Sequence, residues 1–253
     1  MNKKDMGMKK GKRLLLIFLF GIFILSSSYG QAGLLVLILG DKVATENFYL
    51  SIDGALNIST LPGLDEYKTN FGVNYGLGVH IRLSDKFYLK PEFKPLSRKG
   101  ATKVNPITSV ASDFTVDETK IKMNYMDFPI LLQYNITPKL FISAGPQISF
   151  VTDVNQFIYG TQADGLKTTV KANTTSFFYK TNFSFPVEAG YSFTLTNKKS
   201  TSKLKVNVFA RYEYGFMEIF KDPAVGSANV SLFQAGLSLP FIKSAVEQPD
   251  TEK

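Results

Sequence analysis

Residues 121–151 constrain the fold of this chain most tightly. They read IKMNYMDFPILLQYNITPKLFISAGPQISFV. From Met126, one parity carries Met126, Phe128, Ile130, Leu132, Tyr134 and Ile136, and the other carries Asp127, Pro129, Leu131, Gln133 and Asn135. Beyond a Thr137-Pro138-Lys139 turn the alternation resumes, with Leu140, Ile142, Ala144, Pro146, Ile148 and Phe150 on one side and Ser143, Gly145, Gln147 and Ser149 on the other. A period of two sends successive side chains to opposite faces of a strand. Each run exceeds the ~5–6 residues usual in a globular sheet and suits the ~9–11 residues with which a tilted strand crosses a bilayer.

The same pattern recurs along the chain and predicts eight strands, at 48–58, 71–83, 87–95, 126–136, 140–150, 183–195, 204–214 and 229–241. Their connections alternate in length. Segments 59–70, 97–120, 152–182 and 216–228 are long, whereas 84–86, 137–139 and 196–203 are short. Long loops at one end and short turns at the other are the rhythm of outer-membrane barrels. The predicted fold is therefore all-β: an eight-stranded antiparallel up-and-down transmembrane β-barrel over 48–241. A strand in hydrocarbon must have every backbone N–H and C=O paired, so the sheet has to close. Aromatics near strand ends (Phe48, Phe71, Phe87, Phe183, Tyr212, Tyr214, Phe241) match an interfacial girdle. The soluble rivals are a lipocalin-like barrel and a sandwich, in which the apolar parity would face inward. Pro91, Pro129, Pro146 and Pro186 fall inside the runs and remove ladder donors, which predicts bulges or irregular pairing there.

If the apolar parity faces lipid, the other parity points into the lumen. That set holds Asp53, Arg82, Lys90, Glu92, Lys94, Asp127, Glu188, Lys205, Arg211 and Glu213, balanced between acids and bases. Eight strands enclose a space about wide enough for side chains alone. Buried charges persist when they are paired, so the expectation is a lumen salt-bridge network that plugs the barrel.

The formal charge of +8 would suggest nucleic acid, but Lys3, Lys4, Lys9, Lys10, Lys12 and Arg13 against Asp5 place more than half of it in the first thirty residues. A nucleic-acid groove is not indicated. That basic head precedes the apolar run 14–25 (LLLIFLFGIFIL) and the small-residue exit SSSYG at 26–30. Together they predict a secretory signal peptide over 1–30. The apolar run falls short of the ~20 residues of a spanning helix. Residues 31–47 hold a second apolar patch, AGLLVLILG, and a linker, and 242–253 is a polar tail.

Chemistry is sparse. The chain has no Cys and a single histidine, His80. Lack of Cys excludes disulfides, thiol nucleophiles and thiolate metal sites. His80 would have Asp53 or Glu92 as lumen partners, and a structural hydrogen bond is the plainer reading of it. Asp113, Asp117 and Glu118 lack the EF-hand spacing. Gly72, Gly76 and Gly78 lie within a strand rather than before a helix, so they relieve crowding and do not cradle phosphate. Lys198, Lys199 and Lys203 read as a solvated turn, with contact to a partner as the alternative. No catalytic residue, cofactor or metal is predicted.

Four stretches resemble the PorT-like outer membrane β-barrel domain family: FKPLSRKGA (93–101), YMDFPILLQYNI (125–136), FISAGPQISF (141–150) and GDKVATENFYLSIDGALN (40–57). The likeness extends over roughly 48–241. It implies an integral outer-membrane barrel with a cleaved signal peptide and, through the family's namesake, a link to protein secretion across the outer membrane. It brings no catalytic motif. The expected function is that of a structural or interaction protein in the outer membrane of a Gram-negative cell, with its termini in the periplasm. Its partners would be outer-membrane lipid and envelope or secretion proteins reached through loops 97–120 and 152–182. The alternative is a narrow channel or transporter for a small solute or apolar ligand; a third and more remote reading is an outer-membrane enzyme.

Overall fold

The computed structural model describes residues 45–64, 66–108, 113–196 and 203–242. The predicted signal peptide, nearly all of 31–47, and the tail beyond residue 242 lie outside the described residues. Ten antiparallel strands follow one another: β1 (Phe48–Thr60), β2 (Lys68–Arg82), β3 (Phe87–Thr102), β4 (Phe114–Asn135), β5 (Leu140–Ala144), β6 (Gln147–Gln162), β7 (Lys167–Asn173), β8 (Thr181–Thr196), β9 (Lys203–Gly215) and β10 (Ser231–Phe241). β5 and β6 both lie between β4 and β8, so they are one wall strand interrupted at Gly145-Pro146. The wall is thus a ring of eight strands. β1 closes it against β10, with Leu50 opposite Phe241 and Thr60 opposite Ser231. Above the ring, the far half of β6 pairs with β7 as a hairpin.

The two parities separate cleanly. Ile52, Leu56, Phe71, Leu77, Ile130, Val187 and Leu237 point outward, with Leu56 64% and Phe71 72% exposed. Their neighbours Ser51, Asp53, Asn57, Asn74 and Asp127 are buried. A soluble barrel would show the reverse. A continuous apolar exterior around a polar interior is the arrangement a barrel adopts in lipid. In the described wall the large apolar side chains stand outside, and Asp53, Lys90, Glu92, Lys94, Asp127, Glu188, Arg211 and Glu213 are buried.

Toward the loop end this pattern inverts. In β4 the outward apolar series stops at Met126, and Tyr125, Met123 and Ile121 are instead buried, while Lys122 beside them is exposed. In β6 a bulge sets Tyr125 opposite Val151 and Asn124 opposite Asp153, which turns Val154 and Ile158 inward. Ile121, Met123, Tyr125 and Val154 meet Leu61, Val104, Phe178, Ile219, Phe220 and Val230 in an apolar core that roofs the lumen. Below the inversion the outer medium is apolar; above it, the burial pattern is that of a water-facing sheet.

Three expectations need correction. The predicted loops 97–120 and 152–182 are largely strand, because β3 runs to Thr102, β4 starts at Phe114, and β6 and β7 fill most of the second segment. Backbone pairing continues there after lipid-facing alternation has ended, so the apolar signal stops first. Among the four prolines only Pro146 breaks its strand; Pro91, Pro129 and Pro186 sit opposite Ile130, Gln147 and Glu213 in unbroken register. The predicted first strand also extends two residues further, to Thr60.

Candidate functional site in the barrel lumen

Period two brings inward charged residues of three strands together. β3 supplies Lys90, Glu92 and Lys94, β8 supplies Glu188, and β9 supplies Arg211, whose Cα is the direct cross-strand partner of Glu188. Arg211 binds both carboxylates. Its Nη1 and Nη2 donate to Glu92 at 2.8 and 2.7 Å, and its Nε and Nη2 donate to Glu188 Oε2 at 2.9 and 2.5 Å. A planar guanidinium offers this fork geometry and an ammonium does not. Lys90 Nζ lies 2.8 Å from Glu92 and 3.4 Å from Glu188, and Lys94 Nζ lies 3.1 Å from Glu92. The Ser143 hydroxyl donates to Glu188 at 3.3 Å.

A second group stands nearer the loop end. Lys99 Nζ lies 2.6 Å from Glu213 and 3.3 Å from Asp127, with its ammonium 4.8 Å from the centre of the Tyr125 ring. The Ser184 hydroxyl donates to Glu213 at 3.1 Å. Lys99 was not among the predicted lumen residues. A bulge between Lys94 and Ser97 changes the inward parity of β3 from even to odd numbers, and an unbroken alternation misses it. Every charged side chain in these two groups is almost completely buried.

Not all ten predicted residues join in. Arg82 sits at the turn-end rim, where it pairs with the exposed Asp85 at 2.7 Å. Lys205 is half-buried in β9, and no described carboxylate lies within ion-pairing distance of it. Asp53 is buried, yet neither of its carboxylate oxygens has a hydrogen-bond partner among the described residues. His80 meets neither Asp53 nor Glu92. Its Nε2 shares a hydrogen bond of 3.1 Å with the Ser51 hydroxyl, and its ring stacks on Tyr49 at 4.4 Å. Gly78 clears room for this group, since a Cβ there would stand 2.6 Å from Ser51 Oγ and 3.0 Å from Asp53 Oδ2. Gly76 allows close approach of β3, with Phe93 O 2.3 Å from where its Cβ would be.

Asp113, Asp117 and Glu118 are exposed, and among the described residues no group of three or more His, Asp or Glu side chains gathers to hold a metal. Lys198 and Lys199 lie outside the described residues. Among the described residues the lumen thus holds two groups of paired charges beneath an apolar roof, with Asp53 buried and unpartnered beside them.

Residues 47–221, most of the chain and the barrel from β1 through β9, match the family described as Outer membrane protein beta-barrel domain. The chain belongs to that family. Barrels of this kind with which the chain is similar in structure include Neisserial surface protein A, at 12% identity over 78% of this chain and 98% of that one, with a TM-score of 0.42. OprG of Pseudomonas aeruginosa is similar at 11% identity over 79% and 98%, with a TM-score of 0.43. Ail of Yersinia pestis is similar at 13% identity over 78% and 100%, with a TM-score of 0.38. No curated protein sequence matches the chain. Membership of the outer membrane protein beta-barrel family agrees with the apolar exterior and with a place in a Gram-negative outer membrane.

Proposed function

We propose that this outer-membrane barrel is closed to solutes and acts as a structural or interaction protein through its loop-end surface. The observation that carries this reading is the filled lumen. Two layers of buried ion pairs occupy its height, and the apolar cluster around Leu61, Met123, Phe178 and Phe220 covers them at the loop end. Ions crossing such a space would have to displace paired charges and then an apolar layer, each costing several kcal/mol. The PorT-like resemblance adds the finer reading: an accessory of a protein secretion or envelope assembly, with no chemistry of its own. In this reading the termini and short turns face the periplasm, and residues 103–108 and the β6–β7 hairpin face outward to partners.

Planar-bilayer recording of the purified barrel tests closure. The expected trace has no conductance steps at neutral pH. Regular stepwise conductance from the wild type would overturn closure and favour the narrow channel. Photocrosslinkers placed in 103–108 and 167–173 test the partner surface in intact cells; an adduct pattern unchanged from that of a turn-end site would remove it.

A further inference from the structure

The outer wall carries a feature that lumen closure does not explain. A groove of about 620 Å³ opens on the outside of the barrel, where the lipid-facing pattern ends. Two irregularities form it: the β2–β3 register shifts between Thr69 and Asn74, and the β4–β6 register shifts between Asn124 and Tyr125. Bulges bend the bulged strand and re-aim its side chains. The groove's lower wall is apolar and exposed, made by Leu56, Phe71 and Val73. Its upper wall is basic, made by Arg98 of β3, Lys120 and Lys122 of β4, and Lys171 of β7.

These four cations are gathered without partners. No described carboxylate stands within ion-pairing distance of any of them. The one acid in the groove, Asp153, accepts hydrogen bonds from the side-chain amides of Asn155 and Asn173. The Lys122 and Lys171 ammoniums both approach the Phe157 ring, at 4.6 and 5.9 Å from its centre. Like charges held this close repel one another unless an anion sits between them. A cationic shelf directly above an apolar wall, at the edge of the lipid-facing belt, matches a molecule with a phosphate above and acyl chains below.

We propose that this groove binds one phosphate-bearing lipid of the leaflet at the loop end, its phosphate held by Arg98, Lys120, Lys122 and Lys171 and its acyl chains lying along Leu56, Phe71 and Val73. The proposal rests on the reading of the chain as a membrane barrel, but not on closure of the lumen.

The test is native mass spectrometry of the full chain folded in detergent, titrated separately with phosphatidic acid, diacylglycerol of the same acyl chains, and inorganic phosphate. Only protein whose unheated gel band differs in mobility from the boiled one enters the measurement. The expected result is one phosphatidic acid per barrel and no comparable binding of either other probe. Lys122→Glu/Lys171→Glu weakens that binding by about tenfold or more, Lys122→Arg/Lys171→Arg retains it, and Lys86→Glu/Lys139→Glu at the turn end leaves it unchanged. Equal affinity of wild type and the Lys122→Glu/Lys171→Glu variant overturns the proposal. So does diacylglycerol or inorganic phosphate binding as well as phosphatidic acid. Loss of the band shift in the wild type would instead fail the membrane reading itself.

Discussion

Arg211 makes four hydrogen bonds to two carboxylates, and those carboxylates also face Lys90. Removing one ion of such a set leaves the others buried and underpaired, which costs ~3–5 kcal/mol. Arg211→Met should therefore lower the midpoint of urea unfolding in vesicles, read by band shift, by a corresponding amount. Adding Glu188→Gln to it should cost much less than the sum of the two, because the second change removes a charge the first has stranded. Glu218, in the 216–230 connection, allows a pH prediction. Burial alone would raise its carboxyl, but the Ser227 hydroxyl and the amides of Ala228, Phe220 and Ile219 outweigh that and hold it below the usual 4.5. A carboxylate lowered on folding stabilises its surroundings above the usual value, and that stabilisation disappears as pH falls through the lowered one. Hydrogen exchange at the Ala228 amide, corrected for intrinsic rate, should be slow at pH 6 and faster near pH 3, and Glu218→Gln should flatten the difference. At this scale the sequence was readable wherever alternation held. Lys90, Glu92, Glu188 and Arg211 followed from parity alone. Lys99 did not, because one bulged residue reverses the parity of β3. Nor did the partner of His80, since alternation specifies a face of the strand and not the neighbour met across the lumen.

β4 shows where legibility runs out within an element. Its turn-end half, from Met126 to Asn135, was evident from apolar residues at every second position. Its loop-end part, Phe114 to Lys120, read as loop because charged and polar side chains dominate DETK, and the alternation from Met126 did not carry through because the apolar positions change face at Tyr125. Strand pairing is made by backbone, and side-chain pattern reports only the medium on each face. The outward half of β4 should therefore respond to charge in a way a water-facing strand would not. Ile130, half exposed on the outer wall, is the position to change. Ile130→Lys should destabilise the folded barrel in vesicles by ~2–4 kcal/mol, the cost of a lysine near the bilayer midplane. The same change at Lys122 is silent by construction, since a lysine already stands there. An effect under about 0.5 kcal/mol at Ile130, the level of an ordinary surface substitution, would place that face in water.

For the molecule as a whole, the eight-strand count was legible from alternation and turn residues, whereas two of the predicted long connections proved to be mostly strand. The roof over the lumen was not, because Leu61, Val104, Phe178, Ile219 and Phe220 come from separate connections that meet only once the ring has closed. The ring also leaves one strand, β7, paired on a single side, so the extended hairpin offers an open edge at the loop end, where backbone groups can add another strand. The change of face within β4 and β6 has a consequence for how the barrel sits. Sliding the molecule inward by one pair of residues would draw Lys122 and Arg98 toward hydrocarbon, and sliding it outward would lift Phe71 and Met126 into water. Both displacements are opposed at the same level of the wall, so the chain carries its own depth mark, and the bilayer can hold it at only one height.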